Sequence, residues 1–166
     1  TPIGTSATIT SPTQPSSGVH GLTPASPICV CTVLNGVCPT TTDTIEIVVD
    51  APPTPAAAGT DQNICQSSTT LAGNNPASGN GTWTKIAGTG TITTNTQFNS
   101  TVTGLGFGTN TFVWTISNGV CPSVTDTVDI IVATLAPAAA AGTDQQICAS
   151  STILNGNDPS PGSGLW

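Results

Sequence analysis

The sequence predicts an all-β protein made of tandem two-sheet β-sandwich repeats of 83 residues each. Segments of the chain recur without a gap at an offset of 83 residues, and about half of the paired positions are identical. Within one period, short stretches rich in Thr, Val and Ile alternate with Gly, Pro and Asn, as strands alternate with turns. Residues that favour long helices are scarce, since charged residues make up only 5% of the chain.

The recurrence is clearest in two motifs. Residues 56–65, Ala-Ala-Ala-Gly-Thr-Asp-Gln-Asn-Ile-Cys, return at residues 139–148 with a single change. Residues 35–39, Asn-Gly-Val-Cys-Pro, return unchanged at residues 118–122. Because the chain of 166 residues is twice the period, it holds the sequence of two repeats.

The same offset predicts the domain boundaries. Residues 1–51 match residues 84–134, so we predict a leading half-repeat (1–51), a complete repeat (52–134) and a trailing half-repeat (135–166). Neither half-repeat is expected to fold alone, because each lacks the sheet that covers its apolar face. We favour a segment of a longer repeat protein. The alternative is that separate chains complete each other's half-domains head to tail.

Seven strands are predicted in the complete repeat, near residues 57–64, 69–72, 81–86, 90–94, 97–103, 109–117 and 124–132. Four are predicted in the leading half-repeat, near residues 8–10, 19–22, 28–34 and 42–49. Phe112, Trp114 and Ile116 share one face of their strand, which should be the core face. We expect Trp83 to meet Trp114 from the facing sheet, and Trp166 to be the equivalent core residue one period later. The proline-rich linker at residues 51–55 should be extended and stiff.

Cysteines that recur at two fixed positions per repeat predict structural disulfides and a location outside the cytosol. The favoured bond joins Cys65 to Cys121 within the complete repeat. Closing that loop of about 56 residues would stabilise the fold by roughly 4 kcal/mol. The alternative is a bond between neighbouring repeats, such as Cys38 with Cys65. Otherwise, Cys38 and Cys148 would pair with partners beyond this segment.

Two further cysteines break the repeat pattern. Cys29 and Cys31 occupy the positions of Phe112 and Trp114 in the other repeat. They are two residues apart on one predicted strand, so they cannot bond each other without strain. Three explanations are open: free thiols that fill the core poorly, a different packing of the leading half-repeat, or an uncertainty in the sequence itself at these positions.

The charge balance excludes several functions. The net charge is −7 with a single Lys and no Arg, so phosphate contacts to nucleic acid and polybasic contacts to anionic lipid are not expected. The longest apolar run, residues 130–141, is too short to span a bilayer. The chain begins without Met or a signal-peptide pattern, which is typical of a mature or internal fragment.

No arrangement of side chains predicts catalysis, a metal or a cofactor. A calcium site would need convergent oxygens from the carboxylates of Asp43, Glu46, Asp61, Asp126, Asp129 and Asp144. Turn capping by Asp61 and solvated carboxylates on strand faces are the simpler interpretation. His20 is replaced by Thr103 one period later, so it is not a repeated base. Clustered zinc ligands and Ser-His-Asp sets are also missing from the pattern, and we predict that the chain is not an enzyme.

Four positions fit glycosylation patterns. Asn80 and Asn99 begin Asn-x-Ser/Thr sequences. Thr44 and Thr127 follow Asp and precede an apolar residue, which resembles the O-glycosylation signal used by Bacteroidota. Sandwich edges usually carry charge or Pro against edge pairing, and charge is scarce in this sequence. Sugars, prolines or packing between repeats would have to protect the edges.

Taken together, the motifs resemble the PKD-like, immunoglobulin-like repeats of Bacteroidota surface proteins. They are Ala-Gly-Thr-Asp-Gln-x-Ile-Cys, Leu-x-Gly-Asn, Gly-x-Trp, Gly-Leu-x-x-Gly-x-x-x-Phe-x-Trp, and Asn-Gly-x-Cys-Pro before Thr-Asp-Thr-Val. Such repeats build long adhesins, including gliding-motility adhesins exported by type IX secretion. The match covers residues 52–132 and, through the offset, both half-repeats. It departs at Cys29, Cys31, Pro24 and Pro27.

This resemblance implies an extracellular, cell-surface module. We expect a shaft or spacer of a filament or giant adhesin whose partners are adjacent copies of the same repeat. A glycan- or surface-binding module, using loops such as residues 74–80, is the first alternative, and clustered exposed aromatic residues would favour it. An accessory module of a secreted glycan hydrolase is the second, and a catalytic domain elsewhere in the parent gene would favour it.

Overall fold

The computed structural model describes residues 2–3, 7–24 and 27–166. The regular secondary structure of these residues consists of β-strands alone. The strands are β1 (Pro2–Ile3), β2 (Thr8–Ile9), β3 (Val19–His20), β4 (Ile28–Val33), β5 (Thr41–Glu46), β6 (Gln62–Ile64), β7 (Ser68–Thr70), β8 (Asn80–Ala87), β9 (Thr91–Ile92), β10 (Thr101–Thr103), β11 (Gly108–Ser117) and β12 (Val124–Val132). The predicted all-β fold class is confirmed.

Two sheets come from the complete repeat. A three-stranded antiparallel sheet has the order β7-β10-β9, and a four-stranded sheet has the order β6-β12-β11-β8. In the larger sheet β6 runs parallel to β12, from Gln62 opposite Ile130 to Ile64 opposite Val132. Together the two sheets form the predicted immunoglobulin-like β-sandwich.

The sandwich core follows the period-two pattern of its strands. On β11 every second side chain is buried, and β12 behaves in the same way toward its end. Trp83, Phe112 and Trp114 are each at most 2% exposed. The other buried apolar residues of the two sheets and their connections are Ala58, Leu71, Val102, Leu105, Ile116, Val128, Ile130 and Val132.

Trp83 and Trp114 meet with ring centroids 4.9 Å apart and an interplanar angle of 38°. However, Trp83 lies on β8, the neighbour of β11 in the four-stranded sheet, so the prediction that it approaches from the facing sheet is wrong. Side chains on the same face of adjacent strands are close enough for aromatic rings to touch, which accounts for the pair.

Strand β6 begins at Gln62, five residues after the predicted start at Ala57, because side chains bind the backbone before it. The Ala57 N–H donates to Oδ1 of Asn74 (2.9 Å), and the Ala58 N–H donates to Oδ2 of Asp126 (2.7 Å). Gly59 then adopts a φ of +89°, which an extended strand does not accommodate.

Strand β10 is also shorter than predicted and begins at Thr101. The residues before it form a turn, in which the Ser100 N–H donates to the Gln97 carbonyl (3.2 Å). All seven strands predicted for the complete repeat are otherwise present.

The leading half-repeat reproduces part of this register. Strands β2 and β3 pair as β9 and β10 do one period later: Ile9 faces Val19 as Ile92 faces Val102. Strands β4 and β5 pair along their whole length, from Ile28 opposite Glu46 to Val33 opposite Thr41. The short β1, which the sequence pattern did not predict, pairs with the beginning of β4.

Contacts group the chain into two compact units. The first holds residues 1–56, 75–82 and 115–125, and the second holds residues 57–74, 83–114 and 126–166. These units do not follow the repeat boundaries expected from the sequence offset, so the domain boundaries stay a prediction. Residues 135–166, all of which are described, contain no strand.

Candidate functional site

The proline-rich linker is held by side chains and backbone of the complete repeat. Oδ2 of Asp50 accepts a hydrogen bond from the Val120 N–H (2.8 Å), just before the linker. Nδ2 of Asn118 donates to the Ala51 carbonyl (2.8 Å) and to Oγ of Ser78 (3.1 Å). All these residues belong to the first compact unit.

Thr54 and Ser78 add a reciprocal pair of bonds farther along the linker. The Thr54 N–H donates to the Ser78 carbonyl (3.0 Å), and the Ser78 N–H donates to Oγ1 of Thr54 (2.8 Å). The linker is therefore bound at both of its ends, although its prolines cannot donate backbone hydrogen bonds.

The carboxylate of Asp50 lies directly over Gly119. Gly119 has a φ of +52°, and a Cβ added at this residue would collide with the carboxylate of Asp50. Sγ of Cys121 lies 3.5 Å from the Asp50 carbonyl oxygen. Only glycine satisfies both the backbone conformation and the close approach of the carboxylate.

The equivalent turn of the leading half-repeat has the same backbone. The Cys38 N–H donates to the Asn35 carbonyl at 3.0 Å, as the Cys121 N–H donates to the Asn118 carbonyl at 3.1 Å. Gly36 has a φ of +56°, and no described atom lies within 4 Å of a Cβ built on it. The two turns therefore differ in one respect: the carboxylate of Asp50 covers Gly119, whereas no described atom covers Gly36.

The trailing half-repeat forms the same local bonds as the start of the complete repeat. The Ala140 N–H donates to Oδ1 of Asn157 (2.8 Å), and the Asn157 N–H donates to the Ala140 carbonyl (3.1 Å). Ala57 and Asn74 make the same two bonds at 2.9 Å each.

Side-chain contacts recur in the same way. Gln62 bonds Thr69 and the Thr70 carbonyl, and Gln145 bonds Thr152 and the Ile153 carbonyl. Gly73 lies against Trp83 as Gly156 lies against Trp166.

The trailing half-repeat differs in the exposure of its apolar face. Trp166, predicted for a core, is 69% exposed because no strand of residues 135–166 covers it, whereas Trp83 is 2% exposed. Leu154 is 55% exposed, whereas Leu71 is 1% exposed. Beside Trp166 lies an open cavity of about 730 Å³ lined by residues 136–137, 139–141, 154–157, 159 and 163–166.

The leading half-repeat exposes its apolar face as well. Val33 and Ile45 are 61% and 62% exposed, whereas their equivalents one period later, Ile116 and Val128, are at most 1% exposed. Cys29 is buried at the position of Phe112, and Cys31 is exposed at the position of Trp114.

All six cysteines are described, and each is a free thiol. Cys65 is exposed and Cys121 is half-buried, and both Cys38 and Cys148 are exposed. The bond between Cys65 and Cys121 and the alternative between Cys38 and Cys65 both stay predictions.

The carboxylates of the complete repeat bind donors on distant strands. Oδ1 of Asp61 accepts the Asp129 N–H (2.9 Å), so Asp61 links β12 to the residues before β6. Oδ1 of Asp129 accepts the hydroxyl of Thr111 (2.6 Å). Among the described residues no group of three His, Cys, Asp or Glu side chains is placed to hold a metal ion. His20, at the end of β3, is exposed.

The predicted glycosylation positions are all accessible. Thr44 on β5 and Thr127 on β12 are exposed, as are Asn80 at the start of β8 and Asn99 in the turn before β10. The carboxylate of Asp126, which precedes Thr127, already accepts a backbone hydrogen bond from Ala58. Whether these positions are glycosylated stays a prediction.

Sequence reasoning missed two polar residues that the structure uses. One is Asp50, which lies next to the linker but finds its partner 70 residues away. The other is Asn110, which is 1% exposed. Nδ2 of Asn110 donates to the carbonyls of Gly106 (2.9 Å), Gly108 (3.2 Å) and Ile130 (3.2 Å). Its replacement by Pro27 one period earlier was the available signal, because Pro27 cannot make these bonds.

No family model and no curated protein matches this chain. A solved structure to which it is similar is the crystal structure of Dpr2 Ig1-Ig2 in complex with DIP-Theta Ig1-Ig3, at a TM-score of 0.46 and 17% identity. The similarity covers 81% of this chain and 50% of that chain, so this chain spans about half of its length.

In the described part of the chain, no helix has the length and apolar character to cross a membrane.

Proposed function

We propose that the chain is part of the shaft of an extracellular filament or giant cell-surface adhesin, in which 83-residue β-sandwich repeats act as spacers. In this proposal residues 52–134 are one complete repeat, and residues 1–51 and 135–166 belong to its two neighbours. The repeats hold their length mechanically, since each buries its own core and the linkers set the spacing.

The observation that carries this proposal is the recurrence of the same bonds one period apart. Ala140 and Asn157 exchange the hydrogen bonds that Ala57 and Asn74 exchange, although the trailing half-repeat contains no strand. Sequence and local structure therefore repeat together, which is typical of arrays whose units contact mainly their neighbours.

Bonds along the linker support a spacer with defined geometry. A linker that only tethers two domains needs no partners, yet Asp50 and Ala51 are hydrogen-bonded to residues 118–120 of the complete repeat, and Thr54 is hydrogen-bonded to Ser78 within it. Proline in the same linker restricts the backbone further.

Adjacent repeats are the partners in this proposal. The open cavity of about 730 Å³ is lined by Leu154 and Trp166. Their equivalents one period earlier, Leu71 and Trp83, are core residues of the complete repeat. A following segment like residues 84–134 would supply the strands that bury Trp83 in the complete repeat. Burying Trp166, Leu154 and their neighbours would then stabilise the next domain by the hydrophobic effect.

The composition of the protein surface supports a location on the outside of the cell. The chain has 5% charged residues, so its edge strands carry little of the charge that usually prevents edge pairing: the single Lys, Lys85, lies on β8 and the single Glu, Glu46, on β5. Glycans at Thr44, Thr127, Asn80 or Asn99 would cover that surface, and the cysteines would form disulfides in an oxidising environment.

The alternative of a glycan-binding module has less support. Stacking platforms for sugars need exposed aromatic side chains, and residues 74–80 contain none. In the described part of the complete repeat the exposed aromatic residues are Phe98 and Phe107, at 37% and 67%. The other alternative, an accessory module of a secreted glycan hydrolase, requires a catalytic domain elsewhere in the parent gene. The contacts within this chain do not favour it.

The intact mass of the natural polypeptide, denatured and reduced, tests the proposal. A continuous shaft predicts a mass many times 16.4 kDa, the mass of this chain. A mass near 16.4 kDa would contradict the continuous shaft and favour short subunits that complete each other's half-domains.

A further inference from the structure

We propose that the turn at residues 118–121 is a docking site for a carboxylate at the end of the preceding repeat, and that Asp50 bound there clamps the junction. The inference rests on the proposed function in one respect, because it takes residues 1–51 and 52–134 as successive repeats. It adds that junctions in the shaft are of two kinds, with and without this clamp.

The turn is built to receive an anion. Gly119 has a φ of +52°, a conformation in which neighbouring backbone N–H groups can point toward one concave side. The Val120 N–H meets Oδ2 of Asp50 at 2.8 Å, and the absence of a side chain on Gly119 lets the carboxylate sit against the turn. A hydrogen bond to a charged acceptor is stronger than one between neutral groups.

A second contact fixes the register of the docked segment. Nδ2 of Asn118, the first residue of the turn, holds both the Ala51 carbonyl and Oγ of Ser78. Ser78 in turn exchanges two hydrogen bonds with Thr54. The carboxylate, the linker and the loop at Ser78 therefore form one connected network.

The next junction cannot form this network. One period after Asp50, Thr54 and Ser78 the sequence has Ala133, Pro137 and Pro161. Alanine has no carboxylate, and proline has neither the hydroxyl nor the backbone N–H that the pair at Thr54 and Ser78 uses. The chain therefore combines one clamped junction with one unclamped junction.

The turn at residues 35–38 is a second copy of the docking site. Its sequence is identical, its backbone hydrogen bond is the same, and the side chain of Val37 is fully exposed. The partner that fits it is the end of a repeat with Asp or Glu at the position of Asp50. A repeat that ends like this one, with Ala133, does not fit.

Two matched glycines allow a direct test in the full 166-residue chain. Gly119→Ala places a methyl group against the carboxylate of Asp50, whereas Gly36→Ala imposes the same positive-φ strain with no described atom in reach. Asp50→Ala removes the carboxylate without changing either turn. Amide hydrogen exchange of Val120, measured by NMR, reports the clamp, and exchange of the buried strand β11 verifies that each variant is folded.

We expect Asp50→Ala and Gly119→Ala each to accelerate exchange at Val120 by about tenfold, the factor expected when roughly 1.4 kcal/mol of hydrogen-bond protection is lost. Gly36→Ala should leave Val120 unchanged, and adding Gly119→Ala to Asp50→Ala should have little further effect. If Gly119→Ala does not fold, the exchange rate of Val120 in Asp50→Ala alone decides whether the clamp exists. Equal exchange at Val120 in the wild type and in Asp50→Ala would overturn the clamp. That result would leave the shaft proposal to the mass measurement, which does not depend on Asp50.

Discussion

Gly73 lies beneath the two buried tryptophans of the complete repeat, where no side chain fits. A Cβ added there would be 2.9 Å from Cζ2 of Trp83, 3.1 Å from the Phe98 carbonyl oxygen and 3.2 Å from Cδ2 of Trp114. The indole N–H groups of both rings donate to backbone carbonyls, Trp83 to Phe98 and Trp114 to Asn74, so the rings cannot easily shift.

We therefore expect Gly73→Ala to lower the free energy of unfolding by about 1–3 kcal/mol through overpacking. The matched control is Gly156→Ala, one period later, whose Cβ would meet Trp166 at 2.8 Å. Because Trp166 is 69% exposed, it can move away at little cost. Urea denaturation of both variants checks the difference. An equal loss of stability in the two variants would contradict the overpacking argument.

Asn110 provides a second residue-scale prediction. Its amide bonds three carbonyls and its Oδ1 accepts the Thr89 N–H (2.8 Å), all in a site that is 1% exposed. Asn110→Ala removes these bonds from one buried and three partly buried backbone groups, and each buried group left unsatisfied costs about 1–3 kcal/mol. We expect a loss of at least about 2 kcal/mol in denaturant unfolding. Asn63→Ala, at an exposed position on β6, should change stability little. Comparable losses would argue against this role for Asn110.

At the scale of strands and turns, the sequence predicted what depends on local pattern. Alternating apolar residues indicated that Phe112, Trp114 and Ile116 lie on one face of β11, and these residues are buried. The pattern could not give the start of β6, because it depends on Asn74 and Asp126, which lie 17 and 68 residues farther along the chain than their backbone donors. Nor could it assign Trp83 to a sheet, since periodicity defines the face of a strand and not its neighbour.

Asp50 illustrates the same limit for the candidate site. The linker composition predicted a stiff junction, but the carboxylate binds a turn 70 residues away through a backbone N–H. A backbone donor leaves no signature in residue types, so the contact emerges only from the folded structure. The repeated Asn-Gly-Val-Cys motif indicated a turn but not its use as a docking site.

Cys65 directly follows β6, and Cys121 lies in the turn before β12. If Cys65 and Cys121 form the predicted bond, oxidised natural protein should yield a peptide pair linked through these two residues. Alkylation without reduction, followed by proteolysis and mass spectrometry, detects it. A peptide pair linking Cys38 to Cys65 would favour the bond between repeats, and alkylation of all six cysteines would contradict both pairings.

At the scale of the whole molecule, the offset and the contacts suggest different divisions of the chain. The offset places one complete domain at residues 52–134, whereas the compact units group residues 75–82 and 115–125 with residues 1–56. The linker bonds at Asp50, Ala51 and Thr54 contribute to that grouping. The core residues Trp83, Phe112, Trp114 and Val102 all come from within residues 52–134.

The most direct measurement is the cooperative unfolding of residues 52–134 produced alone, followed by tryptophan fluorescence. If 83-residue repeats are the folding units, this fragment should unfold in a single transition, with Trp83 and Trp114 as buried as in the longer chain. Residues 135–166 alone should show the emission of an exposed Trp166. An unfolded 52–134 fragment, with both tryptophans exposed to solvent, would contradict the account of this chain as an array of self-contained repeats.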